Sequence, residues 1–198
     1  MTGRRPGLIL ASASPRRRQL LSDAGYDFEI VAPAVEELQP ERLTVREATS
    51  YNALRKGLAV ARAHPGRVVL AADTLVQLDH QLIGKPADHA DAARLLRLLS
   101  GRSHVVPSGV FITHLHRGRS IAFSVISHVQ FKKLSEKMIA DYLTSINPLD
   151  KAGGYAAQGK GGAIIARVLG SRSNVIGLPL EKTSSALDLF QIRPTTEA

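Results

Sequence analysis

The run Val-Val-Leu-Ala-Ala at 68–72 limits the choice of fold more than any other segment of the chain. An uninterrupted apolar run of this kind is typical of a β-strand that is buried on both faces. A second apolar run at 8–11 precedes a helical pattern, and further strand and helix patterns alternate along the chain without a strict order. Such mixed alternation predicts an α/β fold that is built on a mixed sheet.

Capping and turn signals predict where the other elements begin and end. A helix is expected to begin with Ser14 as N-cap and Pro15 at its first position, and to stop at Gly25. A second helix is predicted over 45–63, with three apolar residues on one face: Leu54, Leu58 and Ala61. The other predicted elements are a strand at 27–31, a hairpin of 75–78 and 81–83, a helix capped by Asp88 with the stripe Ala92, Leu95, Leu96 and Leu99, strands at 104–115 and 121–131, a helix capped by Ser135, a strand at 163–169 and a helix from Pro179.

The charge balance favours a polyanionic partner, because 26 Lys and Arg stand against 17 Asp and Glu and give a net charge of +9. The basic residues are spread in ones, twos and threes, which disfavours a histone-like binder. No cysteine is present, which excludes disulfides, thiolate metal sites and a cysteine nucleophile. We recognise neither an export signal nor an apolar run of roughly 20 residues, so we expect a single-domain cytoplasmic protein over 1–198.

The stretch Leu-Ile-Leu-Ala-Ser-Ala-Ser-Pro-Arg-Arg-Arg at 8–18 places three cations where a helix repels them. The first-turn amides of a helix carry partial positive charge, and a cation beside them is unfavourable by roughly 0.3–1 kcal/mol. The arginines at 16–18 therefore predict an anion against these amides, with Ser12 and Ser14 as further donors. The alternative is an ordinary basic helix end that is exposed to solvent.

Asp73 and Thr74 directly follow the apolar run 68–72. Open α/β sheets bind ligands at the carboxyl ends of their strands, so a carboxylate there suits metal binding or general-base chemistry. The alternative is that Asp73 only caps the following turn. Lys85 in Gly-Lys-Pro is a candidate phosphate contact, although a lysine in a turn is more often exposed to solvent.

The glycine-rich segment 154–160 matches the first seven positions of a P-loop, but Gly161 replaces the Ser or Thr that would hold magnesium. We interpret the match as coincidental, since no strand is predicted before it. Glycines there let the backbone approach a ligand, with the amide of Gln158 able to read a base edge. His114 and His116 lack a third metal ligand, so we expect no metal site at these histidines.

Several independent motifs, in order and at compatible spacings, resemble the Maf family of nucleotide pyrophosphatases over nearly the whole chain. They are Ser-Ala-Ser-Pro-Arg-Arg (12–17), Glu36-Glu37, Lys56, Ala-Ala-Asp-Thr (71–74), Gly-Lys-Pro (84–86), Ser-Gly-Arg-Ser-His (100–104), Leu-Asp-Lys-Ala-Gly-Gly-Tyr-Ala-Ala-Gln-Gly (149–159) and Val-Ile-Gly-Leu-Pro-Leu (175–180). The resemblance implies an elongated mixed sheet with flanking helices, similar to inosine triphosphate pyrophosphatases, with two lobes around a cleft.

The resemblance also implies hydrolysis between the α- and β-phosphates of a nucleoside triphosphate, assisted by Mg²⁺ or Mn²⁺. Asp73 would be the proton acceptor that activates water, Glu37 and Asp73 would hold the metal, and Lys85 would complete the catalytic set. The implied substrate-binding residues are Ser12, Ser14, Arg16, Arg17, Lys56, Thr74 and Gln158.

Three positions resemble the subgroup that acts on dTTP and UTP, namely Arg16, Thr74 and Gln158. The subgroup for 7-methyl-GTP tends to have Trp, Gln and Glu there. A Gln amide offers both a donor and an acceptor to a pyrimidine edge, whereas Glu would accept from the cationic, donor-rich edge of a methylated guanine. Beside dTTP and UTP, the expected substrates include modified pyrimidine nucleotides. The sequence departs from the family pattern at three positions: Asn52 where Leu is usual, Gly57 where Ala is usual, and Ser103 where Thr is more frequent.

Two other functions compete with catalysis. A nucleic-acid binder would fit the positive charge, but with five Phe, four Tyr and no recognisable motif the chain offers few stacking platforms, and we do not expect this partner. The resemblance also suggests a regulatory role in septum formation, which could operate beside catalysis. The expected partner is a nucleoside triphosphate, without a membrane, and a homodimer is among the assemblies that the sequence leaves open.

Overall fold

A computed structural model describes residues 7–38 and 43–195, in which we number eight strands and six α-helices. The strands are β1 (Leu8–Leu10), β2 (Phe28–Ile30), β3 (Val68–Thr74), β4 (Val76–Leu78), β5 (Gln81–Ile83), β6 (Ser103–His114), β7 (Arg119–Phe131) and β8 (Ile165–Leu169). The helices are α1 (Pro15–Asp23), α2 (Val45–Ala63), α3 (His89–Leu99), α4 (Glu136–Ser145), α5 (Arg172–Ile176) and α6 (Leu180–Asp188). No helix in these two ranges is long and apolar enough to cross a membrane.

The described elements group into two compact units. The first unit contains residues 7–38, 43–73, 108–125 and 177–195, and the second contains 74–107 and 126–176. Strands β6 and β7 contribute residues to both. The sequence-based expectation of a single domain over 1–198 stays a prediction.

The first unit is built around the predicted buried strand. In β3, all residues from Val68 to Asp73 are buried. Strand β1 pairs in parallel with β2 on one side and with β3 on the other, and β6 follows β3 in the strand order. Helix α2 packs on this sheet in a core cluster of Ile9, Ala11, Val60, Ala61, Val69 and Ala71. Burial on both faces is thus confirmed for β3.

The predicted bounds of α2 are confirmed, but of the three residues predicted on its apolar face only Ala61 is buried. Leu54 and Leu58 are only half-buried. The buried row consists mainly of small and polar residues: Ala48, Thr49, Asn52, Ala53, Lys56, Gly57, Val60 and Ala61. A Cβ at Gly57 would lie 2.5 Å from a ring carbon of Phe111, so the helix comes too close to its neighbours for leucines on this side. Leu54 and Leu58 therefore do not mark the centre of the buried face of α2.

The second unit contains the predicted hairpin and most of the predicted caps. Strands β4 and β5 pair antiparallel, β4 also pairs antiparallel with β6, and β7 pairs antiparallel with β8. The Asp88 carboxylate accepts a hydrogen bond from the Asp91 amide (2.7 Å), and the Ser135 hydroxyl accepts one from the Met138 amide (3.2 Å). The apolar stripe of α3 lies in the core, as predicted: Ala92, Leu95, Leu96 and Leu99. The parallel pairs of the first unit and the antiparallel pairs of the second together confirm the predicted mixed sheet with flanking helices.

The second unit contains one helix that the sequence did not predict and the glycine-rich segment that resembles a P-loop. Helix α5 was not predicted, because five residues are too few to show a helical period. The P-loop-like segment 154–160 runs from the end of one short 3₁₀-helix (Ala152–Gly154) into the start of the next (Gly159–Ile164), rather than from a strand into an α-helix. A phosphate-binding P-loop needs the strand and the helix, so the match is coincidental, as we interpreted it.

The second unit contains a buried histidine that should make the free energy of unfolding depend on pH. His104 is 1% exposed, its Nε2 lies 2.7 Å from the Tyr155 hydroxyl, and its ring packs edge-on against Phe131 and Tyr155. Its Nδ1 has no hydrogen-bond partner among the described residues. Burial lowers the pKa of His104 from 6.5 to about 4, because the charged imidazolium is poorly solvated there.

We expect the free energy of unfolding to fall by about 2 kcal/mol between pH 8 and pH 5 because of His104 alone. Between pH 6.5 and the lowered pKa, the unfolded chain binds a proton that the folded chain does not, so stability is lost as the pH falls. Urea unfolding at both pH values measures this difference. Carboxylates also titrate, so the comparison is with His104→Phe, which should show a smaller pH dependence. Equal pH dependence in the two proteins would contradict the assignment.

Candidate active site

The turn after β1 leads directly into α1, whose first turn contains no acidic residue. Ser14 occupies the N-cap position, as predicted, but its side chain makes no capping hydrogen bond within the described ranges. The Ser14 amide donates to the Ser12 hydroxyl oxygen (3.2 Å), and Ser12 is buried. The first-turn amides of α1 are therefore not capped by the serine that precedes them, which suits the binding of an external anion.

The three arginines of α1 have different surroundings. Arg17 is buried, its Nε donates to the Gly177 carbonyl (2.8 Å), and its Nη1 donates to the Ser12 hydroxyl (3.2 Å). Burial lowers the pKa of the Arg17 guanidinium from its ordinary value, and the charge of Asp73 acts in the opposite direction. Arg16 is half-buried, whereas Arg18 is exposed. The alternative of an ordinary basic helix end that is exposed to solvent therefore describes Arg18 but not Arg17.

Two carboxylates and one ammonium group meet beside the end of β3. The Lys56 Nζ donates to Glu37 Oε1 (2.6 Å) and to Asp73 Oδ1 (2.7 Å), so it bridges the two acids. The side chains of Lys56 and Asp73 are 8% and 4% exposed, while that of Glu37 is 48% exposed. Helix α2 supplies the lysine and β3 supplies the buried acid, and the half-exposed glutamate leaves the group reachable from solvent.

Asn52 belongs to this group and was not among the predicted site residues. Its Oδ1 accepts from the Leu38 amide (3.0 Å), and its Nδ2 donates to the Leu38 carbonyl (2.9 Å) and to Asp73 Oδ2 (3.2 Å). One buried amide therefore fixes the segment that carries Glu37 and orients the Asp73 carboxylate. The available signal was a polar residue four positions before Lys56, which places both on one face of a helix.

The remaining predicted residues lie in the second unit. Thr74 ends β3 directly after Asp73. Lys85 is exposed in the segment after β5, and Gln158 is half-buried in the glycine-rich loop before Gly159–Ile164. The geometry within the first unit thus unites Ser12 with Arg17 and Lys56 with Glu37 and Asp73, whereas the roles of the other residues stay predictions.

The acids bridged by Lys56 suit a divalent cation of the magnesium type. No three His, Asp or Glu residues in the described parts of the chain form a metal-binding group. Magnesium, however, binds proteins through one or two carboxylates and takes its other ligands from waters and substrate phosphates. Glu37 and Asp73 supply two such carboxylates, and the Lys56 ammonium group between them shows that they attract positive charge. The donor set therefore fits Mg²⁺ or Mn²⁺.

Comparison with known proteins identifies the family. The family model described as Maf-like protein matches residues 7–190. The chain belongs to the Maf family. A relative from Exiguobacterium sibiricum is 44% identical over 94% of each chain, and one from Symbiobacterium thermophilum is 42% identical over 92% of this chain and 93% of its own. A third, from Clostridioides difficile, is 38% identical over 92% and 94%. All three are named dTTP/UTP pyrophosphatase.

Solved structures resemble this Maf protein only distantly. The Ham1 protein of Staphylococcus aureus gives a TM-score of 0.38 at 14% identity, covering 63% of this chain and 71% of its own. This likeness is too weak to carry an argument. The implied similarity to inosine triphosphate pyrophosphatases and the cleft between two lobes therefore stay predictions.

Proposed function

We propose that this chain hydrolyses nucleoside triphosphates, with dTTP and UTP as substrates, to the monophosphate and pyrophosphate. The observation that carries the proposal is the buried Asp73 carboxylate at the end of β3, bonded to Lys56 and Asn52, in a Maf-family chain. The names of relatives that are 38–44% identical over nearly their whole length support the same substrates. Modified pyrimidine nucleotides are included in the proposal.

In the proposed reaction, Asp73 orients a water molecule and accepts its proton as the water attacks the α-phosphorus. The new bond joins the water oxygen to the α-phosphorus, and the bond from that phosphorus to the bridging oxygen breaks as pyrophosphate leaves. Asp73 is held for this role from both sides, by Lys56 at one oxygen and by Asn52 at the other. A base that is fixed in this way needs little reorganisation before proton transfer.

The cations of the site would neutralise the charge of the triphosphate. Arg17 and Lys56 are buried, so their charges act in surroundings that screen them poorly. Burial lowers the pKa of Arg17, while the charges of Asp73 and Glu37 raise it, and a bound phosphate would add a further negative charge beside the guanidinium. Ser12 and the first-turn amides of α1 would add neutral donors to the same oxygens. Lys85 is assigned a similar role at the phosphates.

Glu37 and Asp73 would hold the divalent cation. When bound, Mg²⁺ or Mn²⁺ supplies positive charge at the phosphate oxygens and lowers the pKa of coordinated water. Without a cation, Lys56 offsets part of the charge of the two acids. Removal of metal with EDTA is expected to abolish turnover, and added Mg²⁺ or Mn²⁺ is expected to restore it.

The choice of base is assigned to Arg16, Thr74 and Gln158. A glutamine amide can donate to a pyrimidine carbonyl and accept from a ring N–H, which suits thymine and uracil alike. A phosphate-release screen with dTTP, UTP, CTP, GTP and 7-methyl-GTP tests the proposal, each with and without added inorganic pyrophosphatase. Phosphate that appears only with the auxiliary enzyme would identify pyrophosphate as the leaving group. Absence of release from every nucleotide would refute the proposed function.

Replacement of Arg17 by Lys is expected to lower kcat/KM for dTTP by about 10–100-fold. The guanidinium of Arg17 bonds Gly177 and Ser12 through two different nitrogens, a geometry that a single ammonium group does not reproduce. Steady-state kinetics with dTTP measure the loss. Arg62→Lys is the matched control, since Arg62 is an exposed arginine in the last turn of α2. Equal kcat/KM values for the Arg17→Lys protein and the wild type would contradict the role.

The proposal includes a cytoplasmic location, and it leaves open both a homodimeric assembly and a regulatory role in septum formation beside catalysis. The competing nucleic-acid binder is tested by filter binding across salt concentrations. Steep salt dependence with tight binding of DNA or RNA would favour that alternative. We expect weak binding instead, because the basic residues are dispersed along the chain.

A further inference from the structure

One buried tyrosine hydroxyl closes the loop that carries Gln158. Tyr142 lies on α4 and is 5% exposed. Its hydroxyl accepts a hydrogen bond from the Ala156 amide (3.1 Å) and donates one to the Gly161 carbonyl (3.1 Å). The two backbone groups lie five positions apart on either side of Gln158. A single side-chain atom therefore ties together the two ends of the loop 156–161.

The closed loop is held so tightly that its end accepts only glycine. A Cβ at Gly161 would lie 2.5 Å from the Ala156 Cβ and 2.7 Å from the Ala156 carbonyl oxygen. Two more hydrogen bonds fix the interior, from the Gly161 amide to the Gln158 carbonyl (3.0 Å) and from Arg172 to the Ala157 carbonyl (3.1 Å). The backbone of Gln158 is thus positioned by bonds that do not involve its own side chain.

The Tyr142 hydroxyl is well suited to act as donor and acceptor at once. Burial raises its pKa to about 12, while the hydrogen bond from Ala156 acts in the opposite direction. The group therefore stays protonated at physiological pH. Both of its bonds go to backbone atoms, so the arrangement does not depend on which side chain occupies position 158.

We propose that Tyr142 is a positioning residue for base selection, acting through Gln158. This inference rests on the proposed function, because it assigns Gln158 to the nucleotide base. In this role Tyr142 does not touch the nucleotide, and its hydroxyl holds the Gln158 amide where one pyrimidine edge meets both a donor and an acceptor. Loss of the hydroxyl lets the loop open and weakens recognition of the base without altering the groups around Asp73.

The test is Tyr142→Phe, which keeps the aromatic ring in the core and removes only the hydroxyl. We expect kcat/KM for dTTP to fall about tenfold, mainly through KM, as follows from the loss of one or two hydrogen bonds. The kcat value should stay within about twofold, since the proposed proton acceptor is unaffected. The ratio of kcat/KM for dTTP to that for GTP should fall as well, because contacts to the phosphates are common to both nucleotides.

The matched control is Tyr155→Phe, which removes the other buried phenol of the second unit. Its hydroxyl bonds His104 and not the loop backbone, so we expect lower stability with the same dTTP-to-GTP ratio. A second comparison uses Gln158→Ala as the background. If Tyr142 acts through Gln158, then Tyr142→Phe adds little to the loss of selectivity that Gln158→Ala already causes.

Amide hydrogen exchange of Ala156 provides a readout besides activity, because its N–H donates to the Tyr142 hydroxyl. Faster exchange in Tyr142→Phe, with the selectivity change, is the expected result. An unchanged dTTP-to-GTP ratio, or an equal loss of kcat for both nucleotides, would overturn the inference while wild-type activity upholds the proposed function. If the wild type releases pyrophosphate from no nucleotide, the proposed function fails and the inference fails with it.

Discussion

Asp73→Asn is expected to lower kcat about 10³-fold while dTTP still binds with an affinity close to that of the wild type. Asparagine has the shape of aspartate but cannot accept a proton from water. It also places a donor where Lys56 or Asn52 now donates to a carboxylate oxygen, which disturbs the held geometry. Lys56 retains Glu37 as a partner, so the phosphate-binding charge persists. Single-turnover kinetics and calorimetric titration with dTTP separate turnover from binding.

The control for this substitution is Asp79→Asn. Asp79 is exposed and pairs with Arg102, and its φ of 52° is one that asparagine adopts readily. The control should keep wild-type kinetics. Thermal unfolding of both variants shows whether a loss of activity reflects a loss of folded protein. Turnover by a folded Asp73→Asn protein at the wild-type rate would remove Asp73 from the reaction.

Gly109→Ala is expected to reduce the free energy of unfolding by about 3 kcal/mol. Gly109 lies within β6, and a Cβ there would come within 2.5 Å of the Ser50 amide nitrogen and of the carbonyl carbon and oxygen of Thr49. All three are backbone atoms of α2, so no side-chain rotation can relieve the clash. Either α2 or β6 must shift. Urea denaturation at pH 8 measures the cost.

Gly84→Ala is the matched control, because the same added methyl group would meet no described atom within 4 Å. Its stability should stay within about 0.5 kcal/mol of the wild type. Since α2 carries Lys56 and Asn52, the Gly109→Ala protein should also lose activity at temperatures where it remains folded. Wild-type stability in Gly109→Ala would mean that α2 and β6 are less closely packed than described.

Local patterns predicted much of the fold because they act over a few residues. The apolar run of β3, the caps Asp88 and Ser135, and the stripe of α3 each follow from neighbouring side chains. The face of α2 could not be predicted in this way. Its orientation depends on how closely Gly57 and Gly109 let the helix approach Phe111 and β6, and these contacts join residues more than 50 positions apart in the chain.

The residues of the candidate site also differ in how far local sequence predicts them. Asp73 was recognisable because it ends a buried strand, and Arg17 because its charge opposes the helix dipole. For Asn52 the only local signal was its position one turn before Lys56, and Tyr142 carried none. Their importance comes from bonds to Leu38 and to the backbone around Gln158, which only the folded chain brings within reach. Chemistry at the site was therefore more predictable than the residues that hold it in place.

The lysine between the two acids has a consequence for the order of events at the site. Two carboxylates and one ammonium leave a single net negative charge, so a bare divalent ion finds weak attraction there. In the proposed function, an ion that came with a triphosphate would bring its own anion, and Lys56 would be available to the phosphate oxygens. The charges of the proposed site therefore favour joint binding of the nucleotide and its cation over binding of the metal ion to the nucleotide-free protein.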